Sequence, residues 1–596
     1  MTTPAPVDER PWIASYGPQT SPKLAEPAYP HLAALFDQVC ARYAAAPAFT
    51  AVLPNGMFGN LSFSRLHELA EQFAAYLREE LGLQAGDRVA VQLPNSLAYP
   101  ICAFAVFKAG CVLVNVNPLY TASEMAHQLR DSGAKVLVIV DLFADKLPEA
   151  LPQTDVGHVV LARIPDLFPA LPGFIAHNVM KYWNRIIPQC TVEATMFREA
   201  LAKGAARRVS GASNEYAAAI GPDTIAALQY TGGTTGVSKG AMLTHGNLLA
   251  NVAQLEQMVR PQIDYGKECT LAVLPLYHIF AFTVNLLFFF AVGSRNILVA
   301  SPRPLSNLQR AFENYPITWV PGVNTLFNGL MNEEWFADYP PPRLRGAVAG
   351  GTALHEAVAR RWEKLTGVPI IEGYGLTESA PVVSFNPIDG ENRIGTIGIP
   401  VPDTDVKLLD MEGNPVAPGE AGELAVRGPQ VMSGYWQRPD ETARVLRDGW
   451  LLTGDIALME AGGYFRIVDR KKDLILVSGF NVYPNEVEDC IAKLEQVLEV
   501  AVIGVPDQRS GEAVQAYIVL NPGHELSGEQ VREHCRKHLA AYKVPRQIEM
   551  RAELPKSPVG KVLRRVLRDE ILARASGAVP LEMPVAKPAV EEVGNG

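Results

Sequence analysis

The chain has 596 residues and carries 53 Lys and Arg against 63 Asp and Glu, a formal net charge of −10. That acid excess argues against a nucleic-acid binder, which shows a basic surplus, and 48% hydrophobic residues exclude disorder along the whole chain. At roughly 100 to 200 residues per domain, the length predicts three to five structural units.

Residues 1–30 are rich in Pro and lack the basic-then-apolar run of a secretory signal, so they read as an N-terminal extension. The seven cysteines are scattered, with no C-x-x-C pair and no metal-ligand spacing, which suits a reducing, cytoplasmic setting. From Phe63 the apolar residues Leu66, Leu69, Phe73 and Leu77 mark a helix face, and Gly86-Asp87-Arg88 then turns into the strand-like Val89 to Val91. The alternation continues: helix from Ser96 to Ala109, strand Val112 to Val116, helix from Ser123 to Arg130, strand Val136 to Val140. It predicts an α/β fold, a large multi-layered N-terminal region with mostly parallel sheets, and places ligands in loops beyond the strand ends. The longest apolar stretch, Ile279 to Gly293, is interrupted by Thr283 and Asn285. It is shorter than the about twenty residues that span a bilayer.

Five charged residues in a row, Asp469-Arg470-Lys471-Lys472-Asp473, mark a domain boundary. A large domain over 31–470 therefore precedes a small α+β C-terminal domain over 471–576, with helices from Asn485 to Leu494 and Ser527 to Ala541 and a last helix after Gly560. Residues 577–596, with Pro580, Pro584 and Pro588, read as a disordered tail.

The richest polar loop runs from Tyr230 through Thr231, Gly232, Gly233, Thr234, Thr235 and Gly236 to Lys239, directly after a strand-like segment. Glycines let backbone N–H groups approach an anion, and hydroxyls and a lysine add donors and charge, which suits a polyphosphate. A Walker A loop fails, because Lys239 precedes Gly240 rather than Ser or Thr. Gly236-Val237-Ser238-Lys239-Gly240 matches G-x-S-x-G, but no strand leads straight into the serine.

Further motifs follow in order: Leu276-Tyr277-His278, Gly350-Gly351-Thr352, Glu372-Gly373-Tyr374-Gly375-Leu376-Thr377-Glu378, Thr453-Gly454-Asp455, the Asp469 to Asp473 run, and Pro555 to Lys561. Together they resemble the acyl-adenylate-forming superfamily from about residue 30 to residue 575. The stretches Thr231 to His245, Leu276 to Phe280, Gly322 to Phe327 and Val468 to Glu488 look most like a bacterial long-chain fatty acid–CoA ligase.

The resemblance implies a fatty acid, ATP, Mg²⁺ and coenzyme A as reactants and cofactors. It makes Lys561 the cation at the α-phosphate, and Glu378 with Thr234 the metal holders. Asp455 and Arg470 are expected on the ribose, and Gly350, Gly351, Glu372, Gly373, Tyr374 and Thr377 around the adenine and phosphates. His278 is expected at the mouth of the acid pocket, with Phe280, Phe282 and Gly322 along it. Lys472 is the implied hinge, and Ser478, Gly479 and Phe480 border the CoA tunnel. A lysine at a helix start would otherwise read as solvated, and Lys556, Lys561, Arg564, Arg565 and Arg568 fit either CoA phosphates or a solvated helix face.

The segment after His278 contains no acid that could pair with an amino-acid ammonium, so an apolar tail is favoured, although Leu286 to Phe290 at helical spacing also fits plain core. Phe174, Ile175, Val179, Trp183 and Ile187, with His177, Lys181 and Arg185 between them, mark an amphipathic helix. The commoner role of such a stripe is to cover the core; the other is to rest on the inner membrane surface and collect fatty acid. The implied reaction is fatty acyl-CoA synthesis through acyl-AMP. The alternatives are a fatty acyl-AMP ligase serving a carrier protein and a lipid binder without catalysis; a homodimer is left open.

Overall fold

The computed structural model describes residues 10–208, 212–231, 238–478, 480–507, 509–556 and 562–575. It divides into two compact units, one holding residues 1–453 and 457–467, the other 454–456 and 468–596. The length predicted more units; there are fewer because two large sheets share one apolar core in the first.

The first of these sheets runs in the order Thr195–Met196, His158–Ala162, Ala134–Val140, Arg88–Gln92, Val112–Asn115, Ile225–Thr231, Lys239–Thr244. All neighbours are parallel except the last pair. The second has a parallel centre of Pro47–Val52, Arg295–Leu298, Cys269–Ala272, Trp319–Gly322, Gly346–Ala349 and Ile370–Gly375, with antiparallel additions at both edges. The helix Ala98–Lys108 is buried on every side, which explains why its sequence carries apolar residues around the whole circumference.

Buried amides and hydroxyls join the sheets. Asn95 Nδ2 donates to the carbonyls of Ala272 and Leu274, and the Tyr99 hydroxyl lies 2.6 Å from Asn115 Oδ1 and 2.9 Å from the Leu276 carbonyl. Of the N-terminal extension, the described part is stitched to this unit: Trp12 is buried against Phe465, and the Tyr16 hydroxyl donates to the Pro400 carbonyl. All seven cysteines are free thiols. Among the described residues no helix is long and apolar enough to cross a membrane.

The second unit is a sheet of Phe480–Val482, Ile475–Val477, Gly511–Leu520 and Val497–Asp507, with Gln547–Met550 added parallel to Gly511–Leu520. Alternation along Val497–Asp507 sends Val502 into one apolar layer and Ala501 and Ile503 into the other. The helices Pro484–Ile491 and Gly528–His538 contribute to the first layer, and Arg564–Ala575 contributes Leu567 to the second.

Candidate active site

The phosphate-type loop leaves the carboxyl end of Ile225–Thr231 and returns as Lys239–Thr244, with Thr231 and Lys239 as paired rungs of the hairpin. Gly232, Gly233, Thr234, Thr235 and Gly236 lie outside the described residues. Tyr230 anchors the hairpin: its ring lies where a Cβ on Gly240 would approach to 3.1 Å, and its hydroxyl donates to Asp131 at 2.7 Å. Burial and the Asp131 carboxylate push that hydroxyl far above its ordinary value, so it stays protonated. The other Asp131 oxygen accepts from Arg438 at 2.8 Å.

Lys239 pairs with Glu441 and sits 5.2 Å from the centre of the Tyr435 ring. The Tyr435 hydroxyl in turn donates to Glu378 Oε1 at 2.7 Å, and the Met432 N–H donates to the Glu378 carbonyl. Burial, followed by the Glu378 charge, holds the Tyr435 phenol well above its usual range, which keeps it a donor. Tyr435 and Glu441 escaped the sequence reading. Ser433-Gly434-Tyr435-Trp436 was the available signal, with Gly434 at φ 138° in a conformation that favours glycine.

Glu378 belongs to the tight turn Thr377–Ser379 after the strand Ile370–Gly375. Gly375 is required there, because a Cβ would fall 1.9 Å from the Pro381 carbonyl oxygen. The turn packs against both strands of the hairpin. Mg²⁺ keeps several waters and needs only one or two carboxylates beside phosphate oxygens. Glu378, oriented by a phenol on one oxygen, fits that role; among the described residues no group of three His, Cys, Asp or Glu forms a protein cage.

Gly350 follows the strand Gly346–Ala349, and a Cβ there would meet the Gly373 carbonyl at 3.3 Å and the Phe280 ring at 3.4 Å. The glycines expected beside the adenine therefore adjoin Phe280, expected along the acid pocket. Gly351 has φ +77° with open space beside it. Thr352 Oγ1 is buried with no hydrogen-bond partner among the described residues. Glu372 Oε1 accepts from the Leu354 N–H at 3.1 Å, and Tyr374 is half-buried beside it in the same strand.

His278 caps the helical turn Ile279–Ala281, its Nδ1 accepting from the Phe280 N–H at 3.4 Å. A buried relay sets its place: Asn115 Nδ2 donates to Gln229 Oε1, and Gln229 Nε2 donates to the Tyr277 carbonyl. Thr283, one turn on, donates to the Ala380 carbonyl at 2.7 Å and so ties the apolar helix to the Glu378 turn. Phe280 is half-buried, whereas Phe282 is fully buried edge-on to Phe107 and Phe290 packs on Phe104 at 4.6 Å. At Gly322 a Cβ would meet Leu326 and Phe327 at 2.9 Å, so those side chains fill its vicinity.

In the second unit, Arg470 Nε lies 3.2 Å from the buried Asp455 carboxylate, pairing the two expected ribose ligands. Lys472 is exposed at its backbone turn, and partial burial lowers its ammonium from the ordinary value. Burial alone would raise its neighbour Asp473, but Arg564 and Arg568 outweigh it and hold that carboxyl low. Arg564 also makes paired bonds to Glu488 at 2.7 and 3.1 Å. Lys556 pairs with Glu499, Arg565 with Asp569 and Arg568 with Asp473, so each of these basic side chains has a partner within the unit. Ser478 has φ 52°, and the exposed Phe480 ring stacks on Tyr542 at 5.0 Å. Gly479 and Lys561 lie outside the described residues.

The AMP-binding enzyme family matches residues 36–436, and the AMP-binding enzyme C-terminal domain matches 486–561. The long-chain-fatty-acid–CoA ligase of Yersinia pestis is 49% identical over 563 residues, covering 94% of this chain and 98% of that protein. The Bacillus subtilis protein of the same name is 37% identical over 564 residues, covering 94% and 98%. Among solved structures, ATP-bound MatB from Rhodopseudomonas palustris matches with a TM-score of 0.77 at 28% identity, over 90% of this chain and 98% of that one. With its motifs on these loops and both family models matched in order, the chain belongs to the AMP-binding, adenylate-forming enzyme family.

Proposed function

We propose that the chain is a long-chain fatty acyl-CoA synthetase that uses ATP with Mg²⁺ and works peripherally at the cytoplasmic face of the inner membrane. A fatty-acid carboxylate oxygen attacks the α-phosphorus of ATP, the bond from that phosphorus to the bridging oxygen breaks, and pyrophosphate leaves. CoA thiolate, its proton lost to solvent, then attacks the acyl carbon of acyl-AMP and releases AMP. Bound Mg²⁺ neutralises phosphate charge. The chain's own groups bind and orient: Tyr435 fixes Glu378, Thr352 offers a hydroxyl, and Asp455 with Arg470 addresses the ribose. Lys561 is assigned to the charge that builds at the α-phosphate, Lys472 to the hinge, and Ser478, Gly479 and Phe480 to the pantetheine arm.

One observation carries the reading: the acid-free apolar helix that begins at His278 is joined through Thr283 to the turn that bears Glu378. This supports an apolar acid lying beside the nucleotide, with the half-buried Phe280, close to Gly350, as the side chain of that helix nearest both. Methylenes in such surroundings contribute about 0.8 kcal/mol each.

The test is AMP release and thioester formation with CoA across straight-chain acids. Rising kcat/KM toward long chains is expected; preference for short or aromatic acids overturns the substrate assignment, and acyl-AMP without thioester points to the carrier-protein ligase. For Lys561→Ala, adenylation should fall by about 10²–10³-fold, while thioester formation from supplied acyl-AMP persists. Equal loss of both steps would contradict the role given to Lys561.

A further inference from the structure

The helix Ala170–Asn178 and the wider turn Val179–Trp183 that continues it present two unlike faces. Inward lie Gly173 and Ala176, both buried, His177 at 3.7 Å from the buried Asp141, and Met180 packed on the core. Small residues suit that side, since a Cβ on Gly173 would already meet Phe168 and the Pro165 carbonyl at 3.3 Å. Outward stand the large apolar side chains: Leu171 is 68% exposed, Phe174 67%, Tyr182 67% and Trp183 86%, with Ile175 and Val179 beside them. The stripe that would normally cover a core therefore faces solvent. The segment is nonetheless ordered, closed by bonds from the Asn184 N–H to the Val179 carbonyl and the Ile186 N–H to the Met180 carbonyl, with Arg185 in the left-handed region.

Charge points to the occupant. From Leu167 to Val192 the sequence has no Asp or Glu, although the chain carries 63 acids in 596 residues. In that acid-free stretch Lys181 and Arg185 are both exposed. A contiguous apolar face of this kind is abnormal for a monomer left in water. Aromatic side chains with basic neighbours on one exposed helix face are the pattern of an interfacial helix, and basic side chains beside such a face are drawn to anionic lipid headgroups.

We infer that the outward face of residues 171–186 is a docking surface for a lipid bilayer carrying anionic headgroups. The inference deepens the proposed function, resting on it for the purpose of the contact: a long-chain acid partitions into membrane, and an enzyme seated there meets it at high local concentration.

The test uses the full chain with sucrose-loaded vesicles of phosphatidylcholine alone or mixed with phosphatidylglycerol. The unmodified protein should pellet with the mixed vesicles and much less with phosphatidylcholine, and high salt should reduce the difference. Phe174→Ser with Trp183→Ser should lower partition at least tenfold, and Lys181→Glu with Arg185→Glu by a similar factor on mixed vesicles only. Thermal melting and thioester formation with a soluble medium-chain acid should be unchanged in both variants, since these side chains contact solvent. Protein that stays in the supernatant, or variants that pellet like the parent, would overturn the inference. So would sedimentation velocity showing a dimer that Trp183→Ser splits while vesicle partition is unaltered, because a second copy would then cover the face. Partition is read without turnover, so a missing thioester would count against the proposed function and leave the surface standing.

Discussion

Two apolar helical segments of the large unit, 279–290 and 171–186, look alike in hydrophobic content and end in opposite places. Apart from the half-buried Phe280 the first is buried all round, its Phe290 among Phe36, Phe49, Phe63 and Phe104; the second holds its aromatics in solvent. Circumference and charge separate them. Residues 279–290 carry no charge on any side, whereas 171–186 alternates large apolar side chains with small residues and with Lys181 and Arg185. Gly173, Ala176 and Met180 meet the core, whereas Leu171, Phe174, Tyr182 and Trp183 stand in solvent.

That contrast can be broken or sharpened by substitution. Phe290→Ala should cost the most, about 3–5 kcal/mol, because it opens a cavity between packed rings; a denaturant melt showing under 1 kcal/mol would mean the core closes without it. Thr283→Val keeps the shape but strips the Ala380 carbonyl of its donor, at about 1–3 kcal/mol. Fatty-acid-dependent pyrophosphate exchange should fall with it, and unchanged exchange would show that the tie to the Glu378 turn is only structural.

Asp141, beneath the outward helix, tests the other side of the comparison. Burial raises its carboxyl to about 6, against an ordinary value of 3.8, with Arg163, Asp166 and His177 as charged or titratable neighbours. The folded state therefore takes up a proton that the unfolded chain does not. That contribution to stability is complete below about 3.8 and is lost as pH rises through about 6. Asp141→Asn should raise stability by about 2–3 kcal/mol at pH 7.5 and change it little near pH 4; a loss at both values would reveal an ion pair with His177. Smallest of all, Phe174→Ser and Trp183→Ser should stay within about 0.5 kcal/mol of the parent in a melt, and a larger drop would place them in the core.

The α/β alternation was legible because parallel strands and their helices differ in apolar period, as in Val89–Val91 against Leu66, Leu69 and Phe73. The glycine loops at 350–351 and 373–375 were legible through the resemblance, and the structure gives different physical reasons for them: a Cβ on Gly375 would strike the Pro381 carbonyl oxygen, whereas Gly351 has open space and a positive φ. Pairings distant in the chain were not. Nothing local in Tyr435 announces Glu378, and Gln229 gives no sign that it carries the Tyr277 carbonyl. Arg564 and Arg568 read as part of a basic run fitting either CoA phosphates or a solvated helix face, yet Glu488 and Asp473 engage them. Spacing also showed the stripe from Phe174 to Ile187 without telling which side of the helix would be turned to the core.

The most direct test is a rapid-quench experiment that supplies a long-chain fatty acid and ATP first and CoA second. Acyl-AMP should accumulate with one equivalent of pyrophosphate and then vanish on CoA addition, with matching acyl-CoA and AMP. A thioester formed without acyl-AMP ever appearing, or acyl-AMP that persists when CoA is present, would contradict the proposed two-step reaction.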